Sequence, residues 1–407
     1  MTTTTAEPIR PENITPPVEL RVAMLADSKS FYRFGPVLRR LTIGLIDDVR
    51  DLSLISFDQG NMLDYVPCPP VGLIVDNRKY SGLISSTIAR KTKRIVINAP
   101  RWAIIDTCFP KLKLDRITEA LNMNKPTLIH ALGESQAPLA RSLSKRLNIP
   151  YVVTLFRLND CAVKFSQKRC GAILTCNSEI AQATRKKNPN LTKKIKLSPI
   201  GTHVTDSPAC FAKASKTTKI ICCAPMKHQT YGVATLISAI KILIDKGIEL
   251  ELIISSIGPD ENAFRKQVHQ LKLESHIHFT PRIRDMLAIS DSYKAIFKDT
   301  DIYVQPWPAK FWQPELLEAM SVGNAVVIAE GLTNDLIIKD KTAALFPYKN
   351  KKALAQTIEN LITNKQSAID LATGAQDHLR KHFKASKMIT SHVTQYKNAL
   401  AANQKFI

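Results

Sequence analysis

DIYVQPWPAKFWQPELLEAMSVGNAVVIAEG, residues 301–331, reads as strand, helix, strand. Ile302, Tyr303 and Val304 open it, and Ala325 to Ala329 form a second unbroken apolar run. Such runs fit strands of a sheet covered on both faces. Between them Pro314, which lacks an amide hydrogen, suits a first helical turn, and Gly323 suits the stop after it. The punctuation predicts a helix over 314–322 and hence a β-α-β unit. Its N-terminus would present unsatisfied amides at the mouth of the sheet, a position able to hold a diphosphate.

The same alternation continues in both directions. Upstream it begins with RVAMLA at 21–26, a helix carrying Leu38, Leu41, Leu45 and Val49, and LSLISF at 52–57. GLIV, RIVIN, TLIH, YVVTLF and AILTC follow, with a helix between Ala137 and Leu147. THVTDSPACFAKASKTT, between Gly201 and Lys219, is polar and small, as a linker would be. A second series starts at KIICCA and runs through a helix with Leu236, Ile240 and Leu243, then ELELIISSI, a helix to about Leu273, and HIHF. After residue 331 come a helix with Leu354, Ile358 and Leu361 and a last helical stretch near 386–402. The expected organisation is a disordered tail over 1–19, a Rossmann-like α/β domain over 20–205, a linker over 206–218, a second Rossmann-like domain over 219–385, and a C-terminal helix over 386–407. Cys222 and Cys223 lie in a strand-like run and read as core.

The chain has 407 residues, more than one core usually organises. Fifty-seven Lys and Arg against 35 Asp and Glu give +22, a field that favours anionic partners. Eight Cys without a CxxC pair or zinc spacing imply neither a disulfide framework nor a metal. With no spanning apolar run and no signal-type start, a cytoplasmic location is expected. Basic clusters occur at KTKR, 91–94, and TRKKNPNLTKKIK from Thr184, but aromatic residues are only 6% and no nucleic-acid module is recognisable. No nucleic-acid partner is expected.

ICCAPMKHQTYGVATLISAIKILIDKGIELELIISSIGPD, LESHIHFTPRI and the 301–331 segment resemble, in order and spacing, the donor-binding domain of family-4 glycosyltransferases of the GT-B fold. ELLEAMSVGNAVVIA is the most specific part; PTLIHALGES, IPYVVTLF, AILTCNSE and KIKLSPIGTHV extend the similarity over about residues 21–400. The resemblance implies two Rossmann-like domains facing across a cleft. It also implies a transferase that moves a sugar from a nucleotide sugar to a hydroxyl acceptor, a glycan or lipid-linked molecule, with retention and without a metal or other cofactor.

Carried over residue by residue, the resemblance makes Glu318 the acceptor for the nucleotide ribose hydroxyls. A solvated or dipole-complementing glutamate is the alternative. Glu315, one residue into the helix and about a turn before Glu318, is a further donor-side candidate. The family sets another glutamate eight residues before Glu318, where this chain has Lys310, and Phe311, Trp312 and Gln313 replace the family's glycine-aromatic-glycine. The family's diphosphate-binding Arg and Lys fall on Met226 and Tyr231, aligned on Gly232. Lys227 is a candidate substitute, a solvated lysine being the alternative, and Tyr231 remains a candidate donor contact. In the first half the family's T-x-H histidine is absent, since Phe156 and Arg157 follow Leu155. His130 at a strand end is the candidate catalytic residue beside Lys310, a packed histidine being the alternative. Gly35, before Pro36, is what remains of a glycine-rich phosphate loop. The substitutions leave a second class open, a degenerate GT-B protein acting as a non-catalytic partner or carbohydrate-binding module. The charge adds an anionic membrane surface to the candidate partners.

Overall fold

A computed structural model describes residues 19–27, 37–38, 40–58, 73–74, 92–98, 110–122, 125–158, 164–227, 231–255, 258–280, 293–308, 314–331 and 335–404. Eight strands build the first sheet: β1 (Arg21–Asp27), β2 (Asp51–Asp58), β3 (Leu73–Ile74), β4 (Thr92–Asn98), β5 (Leu128–Leu132), β6 (Tyr151–Leu155), β7 (Cys170–Thr175) and β8 (Ile195–Leu197). They lie in the order β3-β4-β2-β1-β5-β6-β7-β8, and every pairing is parallel. The register places Val22 opposite both Leu52 and Leu128. All of β5 and β6 is buried, the reason those strands read as continuous apolar runs. Helices α1 (Pro110–Asn122), α2 (Ala137–Leu147) and α3 (Ser178–Lys187) serve this sheet. So does a helical stretch at 40–45, whose Leu41 and Leu45 reach the core.

The second sheet holds β9 (Thr218–Cys222), β10 (Leu250–Ser255), β11 (Ile277–Thr280), β12 (Ile302–Gln305), β13 (Ala325–Ala329) and β14 (Ala344–Phe346), in the order β11-β10-β9-β12-β13-β14. It too is parallel throughout. Its helices are α4 (Val233–Asp245), α5 (Glu261–Gln270), α6 (Tyr293–Lys298), α7 (Pro314–Val322), α8 (Lys351–Thr363) and α9 (Lys365–His382). Cys222 and Cys223 are buried in the core, and burial pushes the Cys222 thiol pKa up. Two doubly wound α/β domains in tandem are the GT-B arrangement.

The segment after β8 is less loose than its composition suggests. Ala209 and Cys210 donate backbone N–H groups to Val322 O and Gly323 O at 2.9 Å each, and Phe211 N donates to Asp301 Oδ1 at 2.8 Å. Gly323 closes α7 with φ +80°, and a Cβ there would overlap Pro208 Cα. Glycine at this point therefore permits both the left-handed stop and the passage of the linker.

The chain crosses between the domains at two places that lie side by side. Thr202 N donates to Phe383 O at 2.8 Å, and Ala385 N donates to Thr202 O at 3.2 Å. From there α10 (Ala385–Gln404) returns to the first domain and packs on β6 and β7. The C-terminal helix belongs by contact to the N-terminal sheet.

Candidate functional site

Strands β9 and β12 are neighbours in the sheet but far apart in sequence, and the chain runs outward from them in opposite directions. This is a topological switch point, where loops leaving the carboxyl ends of the strands open a crevice. Gly232, φ +64°, lies so close to Pro306 that a Cβ would overlap the Pro306 carbonyl oxygen. The β9–α4 loop is thereby brought onto the loop after β12. Tyr231 and Trp307 meet there edge to face, their centroids 5.4 Å apart. Gln305 is buried and donates Nε2 to Trp307 O at 3.3 Å. Gln305 Oε1 and Trp307 Nε1 are buried with no hydrogen-bond partner among the described residues, so a polar ligand or water there would relieve about 1–3 kcal/mol of desolvation per atom.

Helix α7 follows β12 in the chain, and all nine of its residues are buried, including Glu315, Glu318 and Ser321. Glu318 is fully enclosed. Its Oε1 pairs with the Arg40 guanidinium, and its Oε2 accepts from Thr202 Oγ1 at 3.1 Å and faces Lys294 Nζ at 3.5 Å. Arg40 comes from the helical stretch of the first domain and Thr202 from the crossing segment. The carboxylate thus joins both domains beside the crossing, with the several donors a buried charge requires. Nothing local in the sequence signals a pair separated by 278 positions.

A second tie spans the domains at Asp335. Its Oδ2 accepts from Ser178 N at 2.8 Å and its Oδ1 from Ser178 Oγ at 2.5 Å. Its own carbonyl meets His378 Nε2 at 2.7 Å. A carboxylate at the first turn of α3 also complements that helix's dipole.

His130 corrects the expectation of a catalytic histidine. It is fully buried in β5, Nε2 meeting Thr154 Oγ1 at 2.8 Å and Nδ1 meeting the Tyr396 hydroxyl at 2.7 Å. Both ring nitrogens are spent inside the core under α10, so it neither lines the cleft nor offers a nitrogen to a substrate. Burial, with His392 nearby, holds its pKa well below the ordinary value. Lys227 is exposed just beyond β9, whereas Met226 is fully buried. A buried thioether is no phosphate ligand. Tyr231 lies at the β9–β12 switch point against Trp307, while Glu315 and Glu318 are buried on α7. Lys310 and Gly35 lie outside the described residues. Among the described residues no group of three or more His, Cys, Asp or Glu is placed to hold a metal.

Residues 217–364 match the family model described as glycosyl transferases group 1. No curated protein matches the sequence. Among solved structures, a glycosyltransferase from Rickettsia africae superposes with a TM-score of 0.68 at 13% identity, covering 94% of this chain and 99% of its own. HepE from Anabaena, in complex with UDP and glucose, gives 0.67 at 14% identity over 92% and 99%. Sucrose-phosphate synthase from Thermosynechococcus elongatus gives 0.67 at 15% identity over 94% and 100%. At these identities the structural likeness shows the fold alone, the two-domain GT-B arrangement. Within that fold, it is residues 217–364 that are similar to the glycosyl transferases group 1 family.

Proposed function

We propose that the protein transfers a sugar from a nucleotide sugar to a hydroxyl of a glycan or lipid-linked acceptor, with retention and without a metal. One observation supports this reading: the family match over residues 217–364 falls on the domain that holds the β9–β12 switch point and α7, the helix that carries Glu318. Ribose hydroxyls are donors and a carboxylate is an acceptor, so Glu318 would orient the nucleoside while the diphosphate leaves. Departure of that diphosphate requires preorganised positive charge in an enclosed cleft. The HepE complex with UDP and glucose makes UDP-sugars the first donors to test.

The membrane side of the reading rests on charge. Arg185, Lys186, Lys187, Lys193, Lys194 and Lys196 lie between Glu179 and Asp206 with no acid among them. Each cation near an anionic bilayer adds about 1 kcal/mol of attraction. We place the protein at the cytoplasmic face of such a surface. Pelleting with anionic vesicles at low salt is expected, and equal recovery with neutral vesicles would refute it. No helix among the described residues is long and apolar enough to cross a membrane.

The burial of Met226 where the family has a cation favours a second reading, a degenerate GT-B protein that keeps the nucleotide pocket but not the chemistry. Turnover of UDP-sugars by the wild type, Met226→Arg and Lys310→Glu separates the two. Activity in the wild type supports transfer; activity appearing only in the variants supports decay; the absence of nucleotide binding in all three refutes both.

A further inference from the structure

Two cations from outside the second sheet's usual phosphate positions converge on one carboxylate. The side chains of Arg40 and Lys294 are only 10% and 14% exposed, and that of Glu318 is 0% exposed. Arg40 also donates to Gly201 O at 2.7 Å, and Lys294 donates to His203 O at 2.8 Å. Gly201, Thr202 and His203 belong to the segment that crosses between the domains and pairs with Phe383 and Ala385. The cationic heads are therefore fixed at the crossing, beside α7. Meanwhile the residues at 226 and 231 are Met and Tyr, and Lys227 is exposed.

We infer that Arg40 and Lys294 are the cations that receive the donor diphosphate, with Glu318 holding them until ribose hydroxyls take over its oxygens. This rests on the donor-site reading above. A carboxylate has about four acceptor positions. Arg40, Thr202 and Lys294 already draw on them, so two ribose hydroxyls compete with the cations. Once displaced from Glu318, the planar Arg40 fork matches two phosphate oxygens, and the Lys294 ammonium serves as a point charge. No covalent change is involved; one anion replaces another at the same cations. Because Arg40 belongs to the first domain, the exchange makes the diphosphate a bridge across the crossing, and Arg40 acts as a positioning residue as well as a ligand.

The test compares each nucleoside diphosphate with its own nucleoside by titration calorimetry on the full chain: UDP with uridine, GDP with guanosine, ADP with adenosine. For the pair that binds, Arg40→Gln and Lys294→Gln are expected to lower the diphosphate-to-nucleoside affinity ratio roughly tenfold or more. Nucleoside affinity should hold or rise, because a competitor for Glu318 has gone. Arg40→Lys should restore part of the ratio. A merely structural role would weaken both ligands alike, and that result, or an unchanged ratio, overturns the inference. If Arg40→Gln does not fold, Lys294→Gln, which keeps the Arg40–Glu318 pair, carries the same comparison. Failure of every nucleoside diphosphate to bind the wild type would remove the donor-site reading itself, whereas binding with an unmoved ratio removes only the inference.

Discussion

The rings of Tyr231 and Trp307 meet edge to face across the line where the strand order of the second sheet reverses. Trp307 is buried there with an indole N–H that finds no acceptor among the described residues. Trp307→Phe keeps an aromatic partner for Tyr231 and discards the orphaned donor. Its unfolding free energy is expected to stay within about 1.5 kcal/mol of the wild type, as an aromatic exchange that loses no hydrogen bond should. Chemical denaturation measures this. A loss above about 3 kcal/mol, the scale of deleting a buried partner, would show that the indole is held by a bond.

Gly323 and Gly247 share nearly the same backbone, φ +80° and +78°, but differ in surroundings. A Cβ at Gly323 would overlap Pro208, whereas one at Gly247 meets nothing within 4 Å. Gly247→Ala should cost about 1–2 kcal/mol, the left-handed backbone alone. Gly323→Ala should cost clearly more, because the linker must also move. Equal losses in urea denaturation would deny the close approach of the linker to α7.

The polar cluster under α10 makes a pH prediction. Burial lowers the His392 pKa from 6.5 to about 4, and lowers that of His130 as well. Both are therefore neutral in the fold at pH 7. The unfolded chain binds protons below about pH 6.5 while the folded chain resists them, so stability present above that pH is lost as pH falls. The slope approaches about 1.4 kcal/mol per pH unit for each group until its folded pKa is reached. Melting temperature should drop steeply between pH 6.5 and 4, and less steeply in His392→Phe. Parallel curves for the two proteins would contradict the burial of a neutral His392.

Much of the fold was legible because its strands are buried on both faces and its helices carry local punctuation. Pro314 and Gly323 bound α7 at the residues expected from them. The 206–218 segment, polar and small, read as loose because composition does not reveal that its backbone donors are spent on Val322, Gly323 and Asp301. His130 read as a candidate catalytic residue for a similar reason. Only the return of α10, bringing Tyr396 to its Nδ1, encloses it. The Arg40–Glu318 pair leaves no trace in any local window, since it exists only once the two domains are docked.

Asp335 and Ser178 provide an independent measure of that docking. Asp335→Ala and Ser178→Ala each remove a charge-assisted bond between the domains and should lower stability by about 1–3 kcal/mol. Because they share the bond, the double variant should lose less than the sum of the singles. Strict additivity in thermal denaturation would mean that the two residues do not meet in solution.

The proposed function requires that a nucleoside diphosphate bind beside Glu318. Titration calorimetry of UDP, GDP and ADP into the wild type and into Glu318→Gln tests this, with Lys241→Gln as a control at a half-buried position of α4 paired with Asp245. At least one diphosphate should bind the wild type and the control equally, and bind Glu318→Gln at least about tenfold more weakly, the loss of a charge-assisted acceptor for ribose. Binding that is indifferent to Glu318, or no binding of any of the three to the wild type, would rule out a donor site at this carboxylate.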